Sequence, residues 1–242
     1  MHRKLESVPQ LRRPLEVMPQ GKPYSLVASL PKNSTALATQ AEEAGADAVV
    51  LNIDGDEGSS PSYYGSYDLH DVYINDVIST VSIPCGISVG GGKQLTPEYW
   101  ERIMGSSFSF VEMYAHQMPL WIMSDARVKK IVAVANGYSL EQVRNLASVP
   151  EVDAIEAATV PPQARGLQLT LLDYATIGTI AALSGKPVLL RTQKRINSGD
   201  VARVLEKGVK GLVVDSCSLS GAEEAYKDEL SDLAPRRQPA GI

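Results

Sequence analysis

The chain alternates short apolar runs with longer amphipathic runs, and this alternation constrains its fold more than any other feature. In the first unit, an apolar run at 25–30 is followed by Asn33 and Ser34, residue types that commonly cap helix starts. An Ala-rich run then ends at Gly45, a typical helix stop, and a second apolar run occupies 48–53. A strand, a capped helix, a turn and another strand are typical of a right-handed βαβ unit.

The same unit recurs along the sequence. We predict eight strands, at 25–30, 48–53, 83–89, 108–114, 130–135, 152–157, 187–192 and 211–215. We predict helices in the Ala-rich run up to Ala44 and near 71–80, 96–105, 118–127, 139–148, 170–184, 198–207 and 221–232. The strands are continuous apolar runs, as expected when both faces of each strand are buried.

Eight strand–helix units in 242 residues predict an α/β protein with a single (β/α)₈ barrel, the TIM-barrel fold, which typically needs roughly 250 residues. A doubly wound open sheet would use the same local units and is the alternative. Two small domains are disfavoured, because no Pro/Gly/Ser-rich linker interrupts the series.

We treat 1–242 as one domain with an N-terminal extension at 1–22 and a flexible tail at 234–242. The extension is expected either to close the bottom of the barrel or to contact a partner. A homodimer is the default expectation for a barrel of this kind. Three apolar residues of the extension could contribute to the interface: Leu11, Leu15 and Val17.

Composition excludes several classes of protein. A net charge of −5 argues against a nucleic-acid binder that relies on phosphate contacts. No apolar run approaches the roughly 20 residues that span a membrane, and the first twenty residues lack the apolar centre of a signal peptide. Cys85 and Cys217 are therefore expected to be free thiols rather than a disulfide, and the protein is expected to be cytoplasmic.

Charged residues follow the predicted strands in an alternating arrangement. The acids come from the carboxyl ends of even-numbered strands or the loops after them: Asp54, Glu112, Glu156 and Asp215. The bases come from the same parts of odd-numbered strands: Lys32, Arg191 and Lys194. Because catalytic groups of barrels lie at strand carboxyl ends and alternate strands share a side-chain layer, we expect the acids to converge on a ligand. The alternative is a set of solvated, structural salt bridges on the rim.

Several carboxylates in a small volume need a counter-charge or a shared proton. Mg²⁺ is one candidate counter-ion, with Asp54 and Asp215 as its ligands, and the nearby Lys and Arg side chains are another. A shared proton would leave one carboxylic acid able to act as a general acid. The candidate catalytic residues are Glu112 and Glu156 as general base, and Lys32 and His116 as general acid.

Other residues predict an anion site. Arg191 and Lys194 follow the seventh strand and could bind phosphate or carboxylate oxygens. Backbone amides are a second source of donors, at a glycine run after the third strand and at a polar helix start after the seventh. The candidate anion-binding residues are Gly90, Gly91, Asn136, Arg191, Lys194, Ser198, Gly199 and Ser216.

The segment 186–221 resembles the last quarter of the ribulose-phosphate-binding barrels, a class that includes isomerases of histidine and tryptophan biosynthesis and related synthases. In that class a phosphate sits on amides of the seventh and eighth loops, so the resemblance implies a phosphate site here. The sequence departs from the class in two ways. Asp215 stands where the class has glycine, and 191–195 carries Arg-Thr-Gln-Lys-Arg instead of a double glycine. A carboxylate there would repel phosphate unless Arg191 or a metal intervened.

No Ser-His-Asp order, zinc-type Cys/His cluster or P-loop occurs in the sequence, and the sixth strand ends in Glu156 rather than in the lysine of a Schiff-base aldolase. We predict an enzyme of the isomerase or carbon–carbon lyase type that acts on a small anionic metabolite. The alternative is a non-catalytic barrel that binds a metabolite or serves in an assembly. The Tyr-rich loop 55–70 is expected to be a lid, with a self-packed Ω loop as the alternative.

Overall fold

The computed structural model describes residues 15–16, 21–55, 64–91 and 94–235, which form a closed barrel of eight parallel strands. The strands are β1 (Ser25–Ser29), β2 (Ala48–Ile53), β3 (Cys85–Val89), β4 (Phe110–Tyr114), β5 (Lys129–Ala135), β6 (Ala154–Ala158), β7 (Val188–Arg191) and β8 (Gly211–Val214). Each strand pairs with the next, and β8 pairs with β1. The predicted barrel is therefore confirmed, and closure excludes an open doubly wound sheet.

Within the described residues, seven α-helices surround the barrel. They are α1 (Thr35–Glu43), α2 (Tyr67–Thr80), α3 (Pro97–Ile103), α4 (Leu140–Ala147), α5 (Leu171–Ser184), α6 (Ser198–Glu206) and α7 (Tyr226–Asp232). The predicted helix at 118–127 is wrong. That segment forms only a short 3₁₀ helix, Leu120–Ser124, in which Ile122 is buried and Leu120 is 84% exposed. A single inward-facing side chain cannot support an amphipathic α-helix.

Side-chain caps fix the starts of the three helices that follow β5, β6 and β7. Ser139, Thr170 and Asn197 each accept a hydrogen bond from a first-turn amide and form a reciprocal capping box with the third residue of the helix. These caps determine where each loop ends. They thereby limit the conformations of the loops that carry residues at the carboxyl end of the barrel.

The barrel interior is apolar below and polar toward the strand carboxyl ends. One buried apolar cluster contains Leu15, Val27, Ala48, Val50, Phe110, Ile131, Ala154, Leu189 and Val213. Gly86 makes room for the Phe110 ring, since a Cβ at Gly86 would lie 2.2 Å from ring carbons. Leu15 is thus packed with residues of the barrel interior. Further along the strands the lining is polar, with Ser29, Asn52, Ser88, Glu112, Glu156 and Arg191.

Some predictions concern other parts of the chain. Both cysteines are free, as predicted. No helix among the described residues is long and apolar enough to cross a membrane. Leu11, Val17 and most of the tail at 234–242 lie outside the described residues.

Candidate active site

Arg191, at the end of β7, is the centre of a buried ionic cluster. Its Nη1 donates to Oε1 of Glu112 on β4 and, at 3.3 Å, to Oε1 of Glu156 on β6. Its Nε donates to Oδ2 of Asp215 at 2.7 Å, and its Nη2 donates to Oγ of Ser29 at 3.1 Å. We call Arg191, Glu112, Glu156 and Asp215 the Arg191 cluster. Three of the four predicted acids therefore converge on one cation.

Burial and charge set the protonation states of this cluster. Burial, and then the charge of Glu112, raises the pKa of Glu156 well above its ordinary value, although Arg191 opposes this shift. Burial would also raise the pKa of Asp215, but Arg191 and the backbone amide of Cys217 outweigh it, and this pKa lies below its ordinary value. Burial therefore favours the protonated form of Glu156, whereas Arg191 and the Cys217 amide favour the carboxylate of Asp215.

The two glutamates are buried next to each other against Arg191. Their side chains are 3% and 0% exposed, and no donor from another described residue reaches Oε2 of Glu112 or of Glu156. A side-chain hydrogen bond with Glu112 also favours the protonated form of Glu156. A carboxylic acid beside a second carboxyl group is an arrangement that general acid–base chemistry can use.

The Arg191 cluster lines a cavity of about 130 Å³ at the carboxyl end of the barrel, which we call the central cavity. Neutral residues of its wall include Ser29, Asn52, Tyr64, Ser88, Gly90, Gly91, Tyr114, Gln117, Gln193 and Ser216. Arg165 is the further charged residue among the described lining residues. Three carboxyl groups and two guanidinium groups therefore line the cavity, and a proton on one carboxyl group would make this set neutral.

Arg165, Tyr114 and Gln193 form one side of the central cavity. Gln193 donates from Nε2 to the Tyr114 hydroxyl at 3.4 Å and accepts from the amide of Val160 at 3.1 Å. Burial raises the pKa of Tyr114, against the opposing positive charges of Arg191 and Arg165. This hydroxyl therefore stays protonated and can act as a neutral hydrogen-bond donor.

The sequence analysis did not identify four residues of this site: Ser29, Tyr114, Arg165 and Gln193. Arg165 belongs to the loop after β6, which has no apolar period, and its position after a strand that carries an acid is the signal that could have found it. Ser29 lies two residues after Val27, on the same face of β1, and strand alternation could have identified it as an inward-facing residue.

Asp54 and Asp215, the predicted metal ligands, have separate protein partners. Oδ2 of Asp54 accepts a hydrogen bond of 2.7 Å from the Tyr99 hydroxyl on α3, and Asp54 adopts a φ of +51°. Asp215 is paired with Arg191. Residues 15–16, 21–55, 64–91 and 94–235 contain no group of three or more His, Cys, Asp or Glu side chains that could hold a metal ion. Arg191 supplies a counter-charge to three of the four predicted acids.

The predicted acids Lys32 and His116 and the predicted anion ligand Lys194 have surroundings of their own outside the Arg191 cluster. Lys32 is exposed and lines a larger neighbouring pocket. Lys194 is buried and donates to Oδ2 of Asp173, on α5, at 2.6 Å. His116 is exposed, lies 2.7 Å from the Tyr138 hydroxyl through Nδ1, and stacks on Tyr114. Their chemical roles stay predictions.

The other predicted anion-binding residues are divided among three regions. Gly90, Gly91 and Ser216 line the central cavity. The amide of Gly90 donates to the carbonyl of Ile53 at 2.9 Å. Ser198 and Gly199 begin α6, where the Gly199 amide donates to Oδ1 of the capping residue at 2.9 Å. Asn136 is exposed and lines a separate groove.

The start of the 3₁₀ helix Ser216–Ser218 shows what Asp215 does at the position where the phosphate-binding barrels have glycine. Oδ1 of Asp215 accepts a hydrogen bond of 2.9 Å from the amide of Cys217. A carboxylate of the chain itself therefore occupies one amide donor of the eighth loop. The neighbouring anion also raises the pKa of the Cys217 thiol, after burial, to about 12.

The base of the predicted lid is well defined. Asp54 and Gly55 donate backbone hydrogen bonds to the carbonyls of Gly65 and Tyr64, at 3.0 and 3.2 Å. The Tyr64 hydroxyl donates to the carbonyl of Leu30 at 2.9 Å. The rest of the loop, 56–63, lies outside the described residues, and the lid stays a prediction.

Known proteins resemble this chain in structure rather than in sequence. No protein-family model matches the sequence, and no curated protein matches it significantly. A mutant tryptophan synthase alpha subunit from Pyrococcus furiosus aligns with a TM-score of 0.67 at 14% identity, over 88% of this chain and 98% of that one. Tryptophan synthase from Mycobacterium tuberculosis aligns with a TM-score of 0.64 at 15% identity, over 87% and 91%. This likeness shows the fold alone: the chain is a (β/α)₈ barrel, as its sequence predicted.

Proposed function

We propose that this protein is a barrel enzyme of the isomerase or lyase type that acts on a small anionic metabolite by general acid–base catalysis. The observation that carries the proposal is the pair of buried glutamates, Glu112 and Glu156, in the wall of the central cavity. A neutral carboxylic acid next to a carboxylate, at the carboxyl end of a barrel, is suited to proton transfer next to a carbonyl.

The two glutamates take different roles because their surroundings differ. Glu112 is ion-paired with Arg191, which favours its carboxylate, and we assign it as the general base. Glu156 is fully buried with a raised pKa, and we assign it as the general acid. Arg191 keeps both carboxyls in position through Nη1. It is therefore a positioning residue in this proposal.

The charge of the cavity supports an anionic substrate. The guanidinium of Arg191 already contacts three carboxyl groups of the protein, so we assign substrate attraction to Arg165, which also lines the central cavity. With Glu156 protonated, the described wall is neutral, and a substrate carboxylate or phosphate meets no excess of negative charge. Phosphate and carboxylate remain alternatives for the bound anion.

A non-catalytic binding protein is the second candidate, and one observation favours it. The central cavity, at about 130 Å³, is smaller than the roughly 300–1,000 Å³ of typical ligand pockets. Much of the charge of the Arg191 cluster is also compensated internally. On this candidate the cluster specifies the packing of the barrel, and a ligand binds outside the central cavity without being converted.

A solvent-exchange experiment separates the two candidates. The protein is incubated in D₂O with aldose and ketose phosphates and with hydroxy- and oxo-carboxylates, and deuterium uptake and conversion are followed by proton NMR. We expect at least one compound to exchange or convert with the wild type, and at least a tenfold slower rate with Glu112→Gln and Glu156→Gln, since acid–base groups typically contribute about 10²–10⁴-fold. The exposed Glu151→Gln serves as the matched control and should retain the wild-type rate.

Each other outcome is informative. Unchanged rates in both glutamine variants would refute the assigned roles. A compound that raises the melting temperature without exchange or conversion would support the binding protein. If no compound in the panel binds or reacts, the proposed anionic substrate class is wrong.

A further inference from the structure

A second and larger pocket lies beside the central cavity. Its volume is about 650 Å³, and it is bounded by the loop after β1, the start of α1, the beginning of α2 and the chain between β8 and α7. We call it the rim pocket. Typical small-molecule sites measure roughly 300–1,000 Å³, so this pocket has the size of a ligand site.

The rim pocket and the central cavity share two wall residues. Tyr64 and Ser216 line both spaces. A ligand that occupies the rim pocket therefore lies next to the Arg191 cluster, at the carboxyl end of the barrel. This position relates the rim pocket to the candidate active site.

The deeper wall of the rim pocket is largely apolar and aromatic. Leu37, Tyr64, Leu219 and Tyr226 contribute to it. Its charged residues are placed differently: Lys32 and Glu223 are exposed, and the Glu229 carboxylate accepts a hydrogen bond from the amide of Ser220. An uncharged group is thus better suited to this wall than a charged one, because a buried charge needs a partner.

Tyr226 provides a second indication of a ligand. The residue is 3% exposed, lines the rim pocket, and has a hydroxyl without a hydrogen-bond partner among the described residues. Buried polar groups are nearly always hydrogen-bonded, and an unsatisfied one reduces stability. A ligand in the rim pocket with one hydrogen-bonding group could satisfy this hydroxyl after a small change in the χ1 angle of Tyr226.

We propose that the rim pocket binds the uncharged, largely apolar part of a ligand, and that the Tyr226 hydroxyl bonds to a single polar group on it. Where the proposed function also holds, the substrate is amphipathic, with its anionic reacting end in the central cavity and its apolar part in the rim pocket. Only this second statement rests on the proposed function. Binding to the rim pocket itself does not require catalysis.

A matched pair of probes tests the rim pocket directly. Phenol and toluene have similar shapes, but only phenol carries a hydroxyl, and binding of each to the full chain is measured by titration with NMR detection. We expect phenol to bind the wild type about two- to tenfold more tightly than toluene, the usual net effect of one hydrogen bond. In Tyr226→Phe this preference should disappear, while toluene binds as before and the melting temperature is retained or increased.

Two further variants locate the probes. Ala222→Trp places a large side chain at a half-buried position of the rim pocket wall and should weaken both probes at least fivefold. Glu156→Gln should leave both affinities unchanged, so that failure of the proposed chemistry is distinguishable from failure of the pocket. Absence of binding by both probes, a phenol preference that survives in Tyr226→Phe, or unchanged binding to Ala222→Trp would overturn the proposal.

Discussion

Replacing Arg191 with methionine is the most severe test of the buried cluster. The guanidinium contacts Glu112, Glu156 and Asp215, and methionine keeps much of its apolar volume while removing every hydrogen bond. Glu156 already carries the proton, so the variant leaves two carboxylates without their partner. Asp215 keeps the amide of Cys217. Glu112, whose side chain is 3% exposed, loses its counter-ion and accounts for most of the expected loss of stability.

The magnitude follows from that isolated charge. Breaking a buried ion pair by removing one partner destabilises a protein by about 3–5 kcal/mol, and we expect a loss of about 4 kcal/mol at pH 7. Without the guanidinium, burial raises the folded-state pKa values of these carboxyls above their unfolded values, near 4. The folded variant then takes up protons as the pH falls. The loss should therefore be largest near pH 7 and become smaller toward pH 5.

Urea unfolding at pH 5, 6 and 7 measures this effect through the transition midpoint, provided that the slope is unchanged. Arg144→Met, at an exposed position on α4, is the matched control and should change stability by less than about 0.5 kcal/mol. A loss below about 1 kcal/mol at pH 7, or a loss that does not vary with pH, would show that the cluster is not the buried charge network described above.

Three further predictions concern the same end of the barrel and its interior. Because the pKa of Glu156 is raised in the folded state, the stability that this residue contributes to the wild type is present at low pH and is lost as the pH rises toward that pKa. Glu156→Gln should therefore gain stability relative to the wild type from pH 5 to pH 8. Melting temperatures of the two proteins that change in parallel over this range would contradict the raised pKa. Gly86→Ala places a Cβ 2.2 Å from the Phe110 ring and should cost at least about 1–3 kcal/mol in urea unfolding, whereas a neutral effect would mean that the interior is less tightly packed. Leu15→Ala should cost about 2–5 kcal/mol in the same assay if Leu15 packs in the barrel interior, and surface-like values below about 0.5 kcal/mol would refute that packing.

The fold could be predicted from the sequence because every strand is a buried apolar run with a clear end. The structure places the eight strands within two residues of the predicted bounds. The prediction of a helix at 118–127 was wrong because this segment is apolar without a helical period. Pro119 precedes the short 3₁₀ helix that it forms instead. Apolar composition alone does not determine which of its side chains face the core.

The candidate site was predictable in part. Glu112 and Glu156 both come from even-numbered strands, and alternate strands contribute side chains to the same layer of a barrel. Because inward positions repeat every second residue of a strand, the two residues could be expected to meet. The sequence does not determine which cation reaches which anion. Arg191 was expected to bind a ligand, whereas in the structure it contacts three carboxyl groups of the protein. Arg165 approaches the cavity from an irregular loop, whose course depends on tertiary contacts such as the bond from the Gly166 amide to the Gln193 carbonyl.

The central claim is that Glu156, whose pKa is raised by burial and by the charge of Glu112, holds the proton of the buried glutamate pair. Carbon-13 NMR of the side-chain carboxyl carbons, in protein labelled at glutamate and compared with Glu156→Gln and the control Glu151→Gln, tests it directly. We predict one glutamate signal at pH 7 with the chemical shift of a protonated acid, which is lost only in Glu156→Gln. A spectrum at pH 7 in which every glutamate has the shift of a carboxylate would contradict the claim and the acid–base role built on it.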